Sequence, residues 1–130
     1  MLTCGGVIQL FEDKPFIGHA GPKLFFKIEC DALTDDDLET LAAIIARRHT
    51  FGRVLGIPSG GFRLAHALEK YRSSVDVVLI VDDVLTTGKS MEDMRDQTCK
   101  DKVIGVVIFA RGKCPSWVTP IFQLSAWAGP

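Results

Sequence analysis

The sequence is short of long apolar runs, of clustered basic residues and of closely spaced cysteines, and each shortage closes off a class of protein. No segment of the 130 residues approaches the roughly 18 consecutive apolar residues of a membrane-spanning helix. The first ten residues, MLTCGGVIQL, do not place a basic stretch before a long apolar core, so no secretory leader is expected and the cytoplasm is the expected compartment. Lysine and arginine form no long run, and the formal net charge is −1. Such a chain has no general attraction for nucleic acid or an anionic membrane, so any phosphate it binds must be held locally. Cys4, Cys30, Cys99 and Cys114 lie far apart and never as C-x-x-C, which favours reduced thiols over a zinc site or a disulfide framework. Internal repeats, low-complexity tracts and linkers are also missing. With 47% hydrophobic residues, a chain of this length can bury one core but not two, so a single domain over 1–130 is expected.

What is present is concentrated in Val77–Met91, VVLIVDDVLTTGKSM. Val77 to Val81 are five apolar, mostly β-branched residues, the pattern of a strand buried on both faces of a parallel sheet. Asp82 and Asp83 follow, then Thr86, Thr87, Gly88, Lys89 and Ser90, with a helical pattern from about Ser90. The carboxyl end of a parallel strand opens into the crevice where α/β proteins hold ligands, and the next helix aims free N–H groups and its positive dipole end at it. A phosphate suits that position. Gly88 lets the backbone approach, and the Thr86, Thr87 and Ser90 hydroxyls can donate to phosphate oxygens. Two carboxylates would repel the phosphate, so they suit sugar hydroxyls or the water shell of a metal. A ligand with a phosphate at one end and vicinal hydroxyls nearby is a ribose 5-phosphate. A nucleotide-binding P-loop is excluded, because G-x-x-x-x-G-K-[ST] would need glycine at Asp83.

In order and spacing, this segment resembles the signature of type I phosphoribosyltransferases: a hydrophobic strand, two acidic residues and a T-x-G-x-S/T phosphate loop. A generic strand–turn–helix with a solvated acidic pair is the plain alternative.

A second glycine-bearing turn lies upstream. A short strand near Arg53–Ile57 runs into Pro58, Ser59, Gly60 and Gly61, and a helix follows over 63–72. That order offers another backbone cradle for an anion. In the resemblance, GIPSGG corresponds to the pyrophosphate-binding loop, with Arg63 near enough to help neutralise a diphosphate; a surface arginine is the alternative.

Toward the start, 6–12 and 23–30 read as strands around the irregular loop KPFIGHAGP. FIGHAGPKLFFKIE is similar to the N-terminal segment of orotate phosphoribosyltransferases, which implies a base pocket at Phe16, His19, Gly21, Phe25 and Phe26, with His19 where that family commonly has lysine. Phe25 and Phe26 also alternate as core and surface residues of a strand would. Thr34 followed by Asp35, Asp36 and Asp37 marks a helix start, with Leu38, Leu41, Ala42, Ile44 and Ile45 as its apolar stripe. After the signature, 102–110 reads as a buried strand ending at Arg111, and 119–124 as an edge strand. Orotate phosphoribosyltransferases carry an arginine after the corresponding strand that recognises the base carboxylate, and Arg111 is the candidate for it; a solvated strand-end arginine is the alternative. Trp117, Phe122 and Trp127 suit packing better than stacking on a base.

The resemblance implies a three-layer, doubly wound, mostly parallel α/β sheet (34–130) under a small N-terminal β-hairpin hood (1–33). It implies transfer of phosphoribosyl from phosphoribosyl pyrophosphate to an orotate-like pyrimidine, with release of pyrophosphate. Asp82 and Asp83 would position the ribose, Thr86–Ser90 hold the 5-phosphate, and Pro58–Gly61 with Arg63 hold the leaving diphosphate with substrate-borne Mg²⁺. Asp83 is also a candidate general base. A homodimer is the expected assembly. One departure stands out: only FRLAHALEKYRSS separates the pyrophosphate turn from the signature strand. The family normally has an extra strand and a mobile catalytic loop there. A binding module without turnover, and a transferase for a purine, are therefore the alternatives.

Overall fold

The computed structural model describes the backbone at residues 11–12, 16–17, 23–24 and 27–28 and all atoms of residues 29–100 and 102–124. Four two-residue strands come first: β1 (Phe11–Glu12), β2 (Phe16–Ile17), β3 (Lys23–Leu24) and β4 (Lys27–Ile28). β1 pairs antiparallel with β4, and β2 with β3, so the two pairs nest as the expected hairpin. Phe16–Ile17, read from sequence as part of an irregular loop, is a paired strand.

A 3₁₀ turn, Cys30–Ala32, leads into α1 (Asp35–Arg48). Thr34 caps it reciprocally: its Oγ1 accepts from the Asp37 N–H at 3.0 Å, and its own N–H donates to Asp37 Oδ2 at 2.9 Å. Carboxylates occupy the first turn and Arg47 and Arg48 the last, both in accord with the helix dipole. Leu38, Leu41, Ala42 and Ile45 form the buried stripe, while Ile44 is half-buried on its shoulder.

The main sheet contains β5 (Arg53–Gly56), β6 (Val78–Leu85), β7 (Val103–Ala110) and β8 (Val118–Gln123), all parallel and side by side in chain order. Between β5 and β6 lies α2 (Phe62–Leu68), finished by a 3₁₀ turn at Glu69–Tyr71; between β6 and β7 lies α3 (Lys89–Gln97). Side chains alternate across β6. Leu79 and Val81 join the core under α1 and α2, while Val78 and Ile80 join the core under Met91 of α3. The turn from β7 to β8 covers the α3 face as well, through Cys114 and Trp117. Both faces are thus sealed, which is why these strands read as continuous apolar runs rather than alternating ones. Pro120 sits in β8, the edge strand, where a missing N–H is tolerated.

One boundary differs from the sequence reading in a way that matters for the site. The signature strand continues past Val81, and the ladder pairs Asp82 with Val107 and Val84 with Phe109. Backbone pairing is indifferent to side-chain charge, so Asp82 and Asp83 sit within the strand rather than beyond it.

Candidate functional site

Three turns meet at the carboxyl edge of the sheet. The first follows β5. Ile57 N–H donates to the Val81 carbonyl at 2.9 Å, and Gly61 N–H to the Ile57 carbonyl at 2.8 Å, which folds Pro58–Gly61 back onto β6. The Pro58–Ser59 peptide bond is cis. The approach leaves no room for side chains: a Cβ on Gly61 would lie 2.4 Å from the Val81 carbonyl oxygen, and one on Gly60 2.4 Å from Asp83 Oδ2. The Pro58–Gly61 turn therefore rests directly against the second acid of the pair.

The acids differ from each other. Asp82 is buried, its Oδ1 accepting from the Asp83 N–H at 2.8 Å; half-buried Asp83 accepts from the Val84 N–H at 2.7 Å. Burial, then the neighbouring Asp83 carboxylate through a hydrogen bond and its charge, push Asp82 up to about 8 from 3.8. Two carboxyls so close favour keeping one proton between them near neutrality. Asp83, Ser59, Gly60 and Arg63 line a cavity of about 90 Å³ with Cys30, Asp31, Leu33, Leu38 and Ile108. Cys30 gave no signal in the sequence, being an isolated thiol. Burial first, then the charge of Asp83 and a hydrogen bond to it, push this thiol up to about 12, so it remains an S–H donor beside the acid.

Arg63 stands at the rim. One guanidinium nitrogen, Nη2, donates to the Leu33 carbonyl at 2.9 Å and to Asp35 Oδ1 at 3.2 Å, so α1 holds it at the cavity mouth. Both partners of that ion pair are solvent-exposed, which makes the contact weak and exchangeable.

The second turn is Thr86–Gly88, after β6 and leading into α3. Gly88 caps the helix at φ +85°, a left-handed conformation that suits glycine, and it brings no side chain to the first N–H groups of α3. Thr87 Oγ1 accepts from the Lys89 N–H at 3.3 Å, while Thr86, Thr87, Lys89 and Ser90 are exposed. The Lys89 ammonium turns away to Asp93 at 2.9 Å. Arg111, half-buried after β7, is tied to this turn by its N–H, which donates to the Leu85 carbonyl at 2.8 Å. Burial pulls its guanidinium below the usual arginine range.

The acid pair, Pro58–Gly61, Thr86–Ser90 and Arg111 therefore share one edge of the sheet, whereas His19, Phe25, Phe26 and Trp127 lie outside the described residues. Two larger cavities lie elsewhere. One of about 540 Å³ lies between α1, which presents Asp37, Thr40, Leu41 and Ile44, and the side chains of Phe109, Phe122 and Leu124; one of about 430 Å³ lies between α1 and α2. Neither reaches the acid pair. Among the described residues no three His, Cys, Asp or Glu side chains gather as a metal-binding group, and no helix is long and apolar enough to cross a membrane.

The sequence matches no protein-family model and no curated protein. Its structure does have counterparts. It superposes on orotate phosphoribosyltransferase from Aeropyrum pernix with a TM-score of 0.69 at 18% identity, covering 90% of this chain and 89% of that one. Mycobacterium tuberculosis orotate phosphoribosyltransferase gives 0.61 at 12% identity over 88% and 90% of the two chains. UMP synthase from Leishmania donovani gives 0.71 at 16% identity; 92% of this chain is covered but only 35% of the larger protein. The chain shares its fold with these orotate phosphoribosyltransferases.

Proposed function

We propose that this chain is a phosphoribosyltransferase that transfers the 5-phosphoribosyl group from phosphoribosyl pyrophosphate to an orotate-like pyrimidine, releasing pyrophosphate. The observation that supports this is the seating of Gly60 against the Asp83 carboxylate: a turn suited to an anion would then lie beside an acid suited to ribose hydroxyls. The 5-phosphate would lie on Thr86–Ser90, against the start of α3. The ribose hydroxyls would donate to Asp82 and Asp83, with the pair giving up its shared proton to accept them. The diphosphate would lie on Ser59–Gly61, with Arg63 exchanging Asp35 for the ligand. A base nitrogen then attacks C1 as the bond to the diphosphate breaks, through an oxocarbenium-like transition state. Arg111 would meet the base carboxylate, and Asp83 would take a proton from the attacking nitrogen.

The donor set suits Mg²⁺ carried by the ligand better than Mg²⁺ held by protein alone, since among the described residues no three His, Cys, Asp or Glu side chains gather as a metal-binding group. When bound, the ion would neutralise charge on the leaving diphosphate, its waters hydrogen-bonding to Asp82 and Asp83. A single domain of hood (1–33) and core (34–130), a homodimeric assembly and a cytoplasmic setting complete the proposal.

A second reading, a module that binds phosphoribosyl pyrophosphate without turnover, is favoured by one observation. Only α2 and a short 3₁₀ turn connect the diphosphate loop to β6, with no loop long enough to close over the ligands. Pyrophosphate release with a panel of bases separates the readings: orotate turnover supports the first, purine turnover reassigns the base, and calorimetric binding without turnover supports the module. D82N and D83N should abolish binding in every case, and unchanged affinity in both would remove the site.

A further inference from the structure

Gln123 ends β8, one strand away from Arg111, and its position is set by the register: it is the partner of Ala110, the residue just before Arg111. Its side-chain amide nitrogen lies 3.3 Å from the Ala110 carbonyl, 3.2 Å from the Gly112 carbonyl and 3.1 Å from the Leu124 carbonyl. Two N–H groups thus serve three acceptors, two of which flank Arg111 on either side. The opposite side of the same segment is fixed by the phosphate turn. The Arg111 N–H donates to the Leu85 carbonyl at 2.8 Å, and Gly112 lies so close to Thr86 that a Cβ there would be 2.3 Å from its carbonyl oxygen. Arg111–Gly112 is clamped between the turn proposed to hold the phosphate and the amide of Gln123.

We infer that Gln123 is a positioning residue: by holding the carbonyls on both sides of Arg111, it fixes the direction from which that guanidinium meets an anionic group on the base, and so sets preference for a carboxylate-bearing ring. The inference rests on the reading of this crevice as a phosphoribosyl and base site. The chemistry requires such a brace. A guanidinium recognises a carboxylate through a planar, two-pronged pairing that tolerates little misdirection, whereas a ring without the carboxylate asks nothing of Arg111. Loss of the brace should therefore weaken one ligand selectively. A residue serving only stability would weaken all ligands alike.

The test is calorimetric titration of the full chain and its Q123L and Q123E variants with orotidine 5′-monophosphate, uridine 5′-monophosphate and ribose 5-phosphate. Q123L keeps the volume and removes the donor; Q123E keeps the shape and sets a carboxylate against three carbonyls. Both should lower the preference for the orotidine over the uridine nucleotide by on the order of tenfold, with ribose 5-phosphate affinity unchanged. R111A should lose the same preference, and R111A/Q123L should lose no more than R111A alone. An unchanged preference in both Gln123 variants, an equal loss for all three ligands, or additive losses in the double variant would overturn the positioning role while leaving the crevice assignment intact. No binding of any of the three by the wild-type chain would overturn that assignment, and the role of Gln123 with it.

Discussion

Replacing Gly60 by alanine tests the site with one methyl group. The new Cβ would stand 2.4 Å from Asp83 Oδ2 and 2.7 Å from both Cγ and Oδ1, well inside the 3.0 Å that real contacts respect, so the carboxylate must retreat by about 0.6 Å. It cannot do so freely, because Oδ1 is held by the Val84 N–H at 2.7 Å. The methyl therefore either breaks that bond or turns the carboxylate away from the position proposed for the ribose. A hydrogen bond to a charged group is worth about 1.5–3 kcal/mol, so affinity for phosphoribosyl pyrophosphate with Mg²⁺ should fall by roughly ten- to a hundredfold in a calorimetric titration. Gly61 is the control for a purely structural effect. Its Cβ would meet backbone atoms, the Val81 carbonyl oxygen at 2.4 Å and the Ile57 nitrogen at 2.6 Å, which no rotamer can relieve. G61A should accordingly lose about 1–3 kcal/mol of stability in a denaturant melt, as overpacked positions do. G60A, whose methyl meets a movable side chain rather than backbone, should lose less stability than G61A while binding far more weakly. A well-folded G60A that binds with parental affinity would refute the reasoning, because Asp83 would then have no part in holding the ligand.

Two further outcomes follow from the same edge. Asp82 titrates near 8 in the folded chain, chiefly because it is buried, against 3.8 ordinarily, so the folded state holds its proton more tightly than the unfolded state does. That contribution to stability is complete below about pH 3.8 and is lost as pH rises toward 8, so the melting temperature of the parent should fall relative to D82N across this range; a constant gap would contradict it. At Gly88, φ is +85° while an added Cβ would find Pro115 no nearer than 3.4 Å, so G88A carries backbone strain rather than a clash. It should cost about 1–2 kcal/mol in a urea melt, and an unchanged midpoint would contradict it.

Much of this edge was legible in the sequence because each element announces itself locally. The apolar run of β6, the acidic first turn after Thr34 and the glycines at the two turns each have a short-range physical cause. What could not be read was set by tertiary pairing. Asp82 and Asp83 looked like residues past a strand because charge usually ends one, yet the ladder with β7 carries them along. The helix expected over 63–72 gives way to a 3₁₀ turn at Glu69–Tyr71, a change that side-chain spacing does not encode. Cys30 and Gln123 have no local signature at all: one reaches Asp83 from a turn about fifty residues earlier in the sequence, the other reaches Ala110 and Gly112 from a neighbouring strand.

The march of β5, β6, β7 and β8 across the sheet in a single direction has a consequence for chirality. The connections through α3 and through the 111–117 turn cover one face, whereas α2 covers the other, so the winding from β5 to β6 has the opposite hand to the two that follow. Parallel crossovers are right-handed in about 98% of cases, so the odd winding of the three, through α2, is the one expected to be left-handed. The same helix would be ordinary if the chain left β5 toward its outer edge, laid a strand there, and only then returned to β6. The Arg72–Asp76 bend is thus the place where a grafted strand would restore the usual winding, and a chain lengthened there should fold without disturbing the crevice.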